Sequence, residues 1–160
     1  MANWPGDNAV FPVCTGLLKQ FEGFRSSPYL DSCGIPTIGY GTIQYPGGKA
    51  VTMHDAAVTD AQAIGFLDYQ LGLKSKVIAP MLQKQATMHQ AAAMLSLAYN
   101  IGTGAFGTSS VLRKFNTGDL AGAADAFLLW DKGTVDGKLV EIEGLFQRRA
   151  FERTFFLRQD

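Results

Sequence analysis

Two carboxylates and a hydroxyl stand close together in this chain: Glu22, then Asp31, then Thr37, all within FEGFRSSPYLDSCGIPTIGYGT, the stretch from Phe21 to Thr42. Two carboxylates held on different elements, with a hydroxyl near one of them, are the minimum equipment for hydrolysing a glycosidic bond. One protonates the leaving oxygen, and the other activates water or attacks directly. Each residue also has a plainer reading. An Asp in a turn is commonly a solvated charge bonded to its own backbone, and a Thr in a strand is commonly there for its β-branched shape. Spacing alone does not bring the three together, so the elements that would position them decide the matter.

Val13, Leu17 and Phe21, with Leu18 beside them, recur at helical spacing from Val10 to Phe21. They predict a short amphipathic helix with Glu22 at its C-terminal end and Gly23 as its stop. The negative end of the helix dipole lies there and favours the protonated carboxyl, the form a general acid needs. Residues 1–9 read as a loosely attached leader. From 24 to 50, glycines at 34, 39, 41, 47 and 48 and prolines at 28, 36 and 46 interrupt short alternating runs. They predict a small irregular sheet, with YPGGK at 45–49 as a hairpin tip.

Helical signals then dominate. Thr59 and Gln62 form a capping box ahead of a helix running to about Ala79, where Pro80 stops it. Its two apolar stripes, Ile64-Leu67-Leu71-Ile78 and Phe66-Leu73-Val77, predict burial on two sides. A second box, Thr87 with Gln90, opens TMHQAAAMLSLAYNIG, apolar nearly all round and expected to form a core. GTGAFG reads as a loop, Ser109 and Ser110 as caps for VLRKFN, and Asp119 as the cap of LAGAADAFLLW. Asp131 to Glu141 reads as a polar loop, and GLFQRRAFERTFFL as the closing helix.

At 160 residues the chain fits one domain with a proper core. Hydrophobic residues make up 47% and charged ones 18%, a globular balance. Lys+Arg and Asp+Glu both number 14, which gives no global field for a polyanion and argues against nucleic acid as a partner. No run has the length of a membrane span, and the N-terminal residues lack the pattern of a signal peptide. The expectation is synthesis and retention in the cytoplasm without membrane insertion. Cys14 and Cys33 set no disulfide framework. Both are read as thiols, and a bridge between them stays open. His54 and His89 are isolated, with no metal-ligand spacing, and are read as surface residues. Neither metal nor cofactor is expected.

EGF…YLDSCGIPTIGYGT, with eight residues between Glu22 and Asp31 and five between Asp31 and Thr37, resembles the catalytic segment of the phage lysozymes, or endolysins, of glycoside hydrolase family 24. SLAYNIGTGAFGTSSVLRKFNTGD is similar to that family's core helix and following turn, and GLFQRRAFER to its arginine-rich C-terminal helix. The resemblance implies an α+β, lysozyme-like fold of two lobes with a cleft between them. A small sheet lobe would cover roughly residues 22–58, and a connecting helix would follow. A larger helical lobe would cover roughly 80–160 plus the N-terminal helix. It implies hydrolysis of the β-1,4 bond between N-acetylmuramic acid and N-acetylglucosamine in peptidoglycan.

Carried over position by position, the resemblance makes Glu22 the general acid and Asp31, with Thr37, the group that positions water. That is inversion, for which the carboxyls stand roughly 6.5–9.5 Å apart; retention stays open. An arginine of the last helix reaches toward the acid in the family. Arg148 is favoured slightly over Arg149, because either lies within pairing range of Glu152. Ile43, Tyr99, Asn100, Phe106 and Ser110 match substrate-side positions, with packing as the plainer reading for Tyr99 and Phe106 and capping for Ser110. Thr42 stands where many members carry histidine. The implied partner is the glycan strand, reached after a holin or another permeabiliser opens the membrane, and a monomer is expected. The rivals are a lytic transglycosylase and a non-catalytic peptidoglycan-binding module.

Overall fold

A computed structural model describes residues 2–160. It divides into two compact units: Thr15–Leu73, and a second that joins the segment ending at Cys14 to Lys74–Asp160. Helix α1 (Asp7–Glu22) and helix α2 (Asp60–Ile78) each contribute to both. Among the described residues no helix is long and apolar enough to cross a membrane.

In Thr15–Leu73, strands β1 (Arg25–Leu30) and β2 (Pro36–Gly39) pair antiparallel, with Tyr29 opposite Thr37 and Leu30 opposite Pro36. Single bridges, Ile38 to Thr42 and Gln44 to Ala50, extend this into the irregular sheet that the glycine and proline pattern predicts. Its tip closes as expected, with the Tyr45 amide on the Lys49 carbonyl at 2.8 Å and Gly47 and Gly48 both at positive φ. Asp55 fastens the following loop. It accepts from the Thr52 amide, the Thr52 hydroxyl and the Tyr45 hydroxyl.

The Thr59–Gln62 capping box forms in both directions and starts α2. Only one face of α2 is buried, through Ala63, Leu67, Leu71 and Ile78. The expected second stripe is overturned: Leu73 and Val77 are exposed, and Phe66 is only half-buried, edge-on to Tyr45. Apolar spacing at 3.6 residues marks a helix but does not fix how many of its sides find a partner.

In the other unit, α3 (Met88–Ile101) starts at the Thr87–Gln90 box and is buried continuously from Gln90 to Ala98. It packs on α7 (Glu143–Leu157). GTGAFG, read as a loop, is the short helix α4 (Thr103–Gly107). Helix α5 (Ser110–Thr117) is capped by Ser109, and α6 (Leu120–Ala126) by Asp119. Phe115 and Phe127 both meet Phe156 of α7, which places this core where α5, α6 and α7 converge.

Three further expectations are corrected here. Residues 2–9 are not a loose leader; Met1 lies outside the described residues. The Asn3 amide donates to the Leu82 carbonyl at 2.7 Å, the Ala86 amide donates to the Asn3 carbonyl, and the Trp4 indole donates to Asp7. With Asp7 in its first turn, α1 begins ahead of the expected Val10 and runs through Pro12. The polar loop is a hairpin of β3 (Lys132–Val135) and β4 (Lys138–Glu141), turned by Asp136 (φ 51°) and Gly137 (φ 76°). Two successive left-handed residues make the type I′ turn whose twist suits a two-residue hairpin. His89 is not an isolated surface residue either. Its ring is joined to the Asp160 carboxylate, which also accepts from the Met88 and His89 amides at the start of α3. These bonds hold the Asp160 carboxyl below its ordinary range, against the opposing effect of burial.

Candidate active site

Glu22 is the last residue of α1, and Gly23 (φ 62°) turns the chain out of the helix as the sequence predicts. Its carboxylate lies against the backbone of Gly41. A Cβ on residue 41 would come within 2.8 Å of Glu22 Oε2, and Gly41 also sits at φ 80°. The same turn is pressed on its other side, since a Cβ on Gly39 would stand 2.9 Å from the Ala63 Cβ of α2. Between them Tyr40 donates its hydroxyl to Asp60, and that bond is the main reason its phenol titrates above the ordinary range. The Gly-Tyr-Gly run is therefore the seat of the Glu22 carboxylate.

Asp31 follows β1 and closes a tight turn with its own side chain. Its Oδ1 accepts from the Cys33 amide at 2.8 Å and from the Ile35 amide at 2.9 Å. Its backbone amide donates to the Ile35 carbonyl at 3.0 Å. Thr37, buried at the start of β2, donates its hydroxyl to that same Ile35 carbonyl at 2.9 Å. Asp31 and Thr37 are thus tied to one peptide segment. In those bonds Asp31 engages Oδ1 and not Oδ2, and Thr37 has committed its proton but keeps lone pairs. Water between such groups donates to both, which orients its own lone pair outward for attack.

Farther along the same unit, Asp55 is pulled down to about 2, first by the Thr52 hydroxyl, then by the Thr52 amide and Tyr45. Burial, then the bond to Asp55, pushes Tyr45 up to about 12. Ile43 is exposed and accepts the Val51 amide on its carbonyl. Cys33 is exposed and Cys14 buried, and they form no disulfide.

The remaining expected residues lie in the other unit. Both arginines pair with Glu152: Arg148 Nε at 3.3 Å from Oε1, and Arg149 Nε at 3.3 Å from Oε2. Ser96 of α3 donates to Glu152 Oε1 at 2.8 Å, and Arg149 reaches the Asn100 side-chain oxygen at 2.7 Å. Burial pushes the Glu152 carboxyl up against the opposing pull of the two guanidiniums, and burial likewise lowers Arg149. Arg149 is fully buried, while Arg148 retains a sliver of surface. Lys74 stands over the half-buried ring of Tyr99. Phe106 has no exposed surface and occupies a packing position rather than a sugar-contacting one. Ser109, not Ser110, does the capping. Sequence reading missed Gly41, Ile35 and Ser96. The GYG spacing is a visible signal for Gly41, but Ile35 acts through its backbone, and nothing in its side chain announces that.

A sheet-and-helix chain with one carboxylate at a helix end and a second beside a hydroxyl in a tight hairpin has the build of a lysozyme-like glycosidase. The family model described as Phage lysozyme matches residues 19–152. An endolysin of Salmonella phage P22 is 37% identical over 140 residues, which cover 88% of this chain and 92% of that protein. An endolysin of Acyrthosiphon pisum secondary endosymbiont phage 1 is 34% identical over 140 residues, with the same two coverages. The structure of an endolysin from Escherichia coli O157:H7 phage FAHEc1 superposes with a TM-score of 0.86 at 36% identity, covering 90% of each chain. The chain belongs to the phage lysozyme family, a family of hydrolases, as the three sequence blocks predict.

Proposed function

We propose that the chain is an endolysin cleaving the β-1,4 bond between N-acetylmuramic acid and N-acetylglucosamine, with Glu22 as general acid and Asp31 with Thr37 as the water site. The observation that carries this is the shared anchoring of Asp31 and Thr37 on Ile35. It ties a carboxylate and a hydroxyl acceptor to one peptide segment, which supports their sharing a water. Protonated Glu22 gives its proton to the glycosidic oxygen as that bond breaks. Water adds to the anomeric carbon and passes a proton to Asp31, leaving a reducing end. An arginine of α7, Arg148 ahead of Arg149, steadies the acid. Ile43, Tyr99, Asn100 and Ser110 are the remaining candidates for sugar contact. The protein works as a monomer on glycan strands, made in the host cytoplasm and admitted to the wall by a separate permeabiliser.

The test is reducing-end release from purified peptidoglycan by wild type and Glu22→Gln side by side. The variant keeps the shape and loses the transferable proton, so activity should fall by at least about a hundredfold with an unchanged circular dichroism spectrum. Retained activity would sink the assignment of the acid. Anhydro-muramic ends in place of reducing ends would remove the water step and favour the transglycosylase reading.

A further inference from the structure

We propose that Arg25, held over the ring of Tyr29, is a specificity-determining residue that binds the carboxylates of the peptide stem borne by N-acetylmuramic acid. The proposal rests on the muramidase reading, since it takes its ligand from the substrate of that reaction. Tyr29 of β1 stands directly opposite Thr37 of β2. Residues opposed in an antiparallel pair send their side chains to the same face of the sheet. Arg25 opens the same strand, and its Cζ lies over the Tyr29 ring, 4.6 Å from the ring centre, inside the range of a cation–π contact. The cation is therefore carried on the face of the sheet that holds the Thr37 hydroxyl.

This charge is also free. Arg25 is exposed and pairs with no carboxylate among the described residues. Lys19, by contrast, lies 3.9 Å from Asp60 in the same unit. A guanidinium lying over a ring uses only its flat face. Its edge keeps the N–H donors that meet a carboxylate two at a time. The half-buried ring also limits the freedom of the side chain beforehand, so less is lost when a ligand binds.

The cleavage chemistry says which anion comes near. Water held at Asp31 and Thr37 adds to the anomeric carbon of N-acetylmuramic acid, so that sugar lies on the Thr37 side of the broken bond. It is also the sugar that bears the peptide. Its lactyl carboxyl is tied up in the amide to that peptide and the sugar rings are uncharged, so the free carboxylates belong to the stem. Arg25 matches them in sign and lies on their side of the bond. Strand stability is the plainer role for the pair, but an exposed side chain on β1 contributes little in that way.

The experiment compares kcat/KM for reducing-end release on purified peptidoglycan and on the same polymer after its free carboxylates have been converted to neutral amides. Wild type should prefer the native polymer about fivefold, the upper end of what an exposed ion pair contributes. Arg25→Gln should lose that preference. Arg25→Lys keeps the charge but not the fork and should keep part of it. Tyr29→Leu should lie between, since it releases Arg25 without removing it. The loss should fall on KM rather than kcat, because the contact is the same before and during the reaction. Thermal melts run alongside. An equal loss on both polymers in Arg25→Gln would make the pair structural and overturn the proposal. So would a wild type without preference, or an Arg25→Gln that keeps it. Sedimentation with the two insoluble polymers separates this from failure of the muramidase reading. It is run in the Glu22→Gln background, with and without Arg25→Gln, so that binding is read without turnover. If Glu22→Gln still releases reducing ends, or wild type releases none, the catalytic reading fails, and the binding difference alone then decides the role of Arg25.

Discussion

Gly41 is the residue at which backbone conformation and chemistry meet. Its φ of 80° is left-handed, and the space its side chain would occupy holds Glu22 Oε2. Alanine there meets two costs of different kind. The left-handed backbone costs about 1 kcal/mol, which in a chain of this length lowers Tm by roughly 2–4 °C. The contact costs little in stability, because the atom it strikes is the tip of a flexible side chain that can swing aside. The same swing displaces the carboxyl proposed as the acid, and a misplacement of about 1 Å in a catalytic group is worth on the order of a hundredfold in rate. Gly41→Ala is therefore expected to melt only a few degrees early while kcat falls by more than tenfold. A variant with near-normal kcat would mean that the carboxylate does not work from the position over Gly41. Asp31 carries a related lesson. Its turn was readable from residue types, but its tether to Ile35 was not, because the bonds are made to a backbone that any residue supplies.

At the scale of elements, signals that come from chain-local chemistry could be read and those that depend on partners could not. Capping boxes at Thr59–Gln62 and Thr87–Gln90 formed as their spacing predicts, because both halves of the bond lie within one turn. The β3–β4 hairpin was missed although Asp136-Gly137 is a strong turn pair. Its strands are exposed on nearly every residue, so no face is buried and no alternation is imposed on the sequence. The pairing of α3 with α7 is settled by Glu152, which takes both arginines and Ser96 in a fully buried position. The spacing on α7 allowed that for either arginine, and the structure gives it to both. Glu152→Ala would leave the fully buried Arg149 without its carboxylate, a loss of about 3–5 kcal/mol. The expected Tm drop is on the order of 10 °C by calorimetry. A drop within about 2 °C would show that water or Asn100 replaces the carboxylate at little cost.

For the whole molecule, the fold class followed from matching three sequence blocks in order, whereas the division into compact units falls within α1 and α2. A continuous helix keeps its periodicity through such a point and leaves no break to read. That division also distributes charge. Thr15–Leu73 carries three basic and five acidic residues, and the other unit eleven and nine, so the net charges oppose and the total is zero. With so small a charge on either unit, neither projects a field strong enough to draw the protein to an anionic wall over more than a Debye length. Encounter with peptidoglycan then depends on short-range sugar contacts, which salt screens little. The rate of reducing-end release at subsaturating peptidoglycan is expected to change by less than about threefold between roughly 50 and 200 mM NaCl, a range over which a cation-steered enzyme slows steeply. A tenfold fall would place a dominant cationic patch on the surface that meets the wall, with the lysines and arginines of Lys74–Asp160 as the first to neutralise.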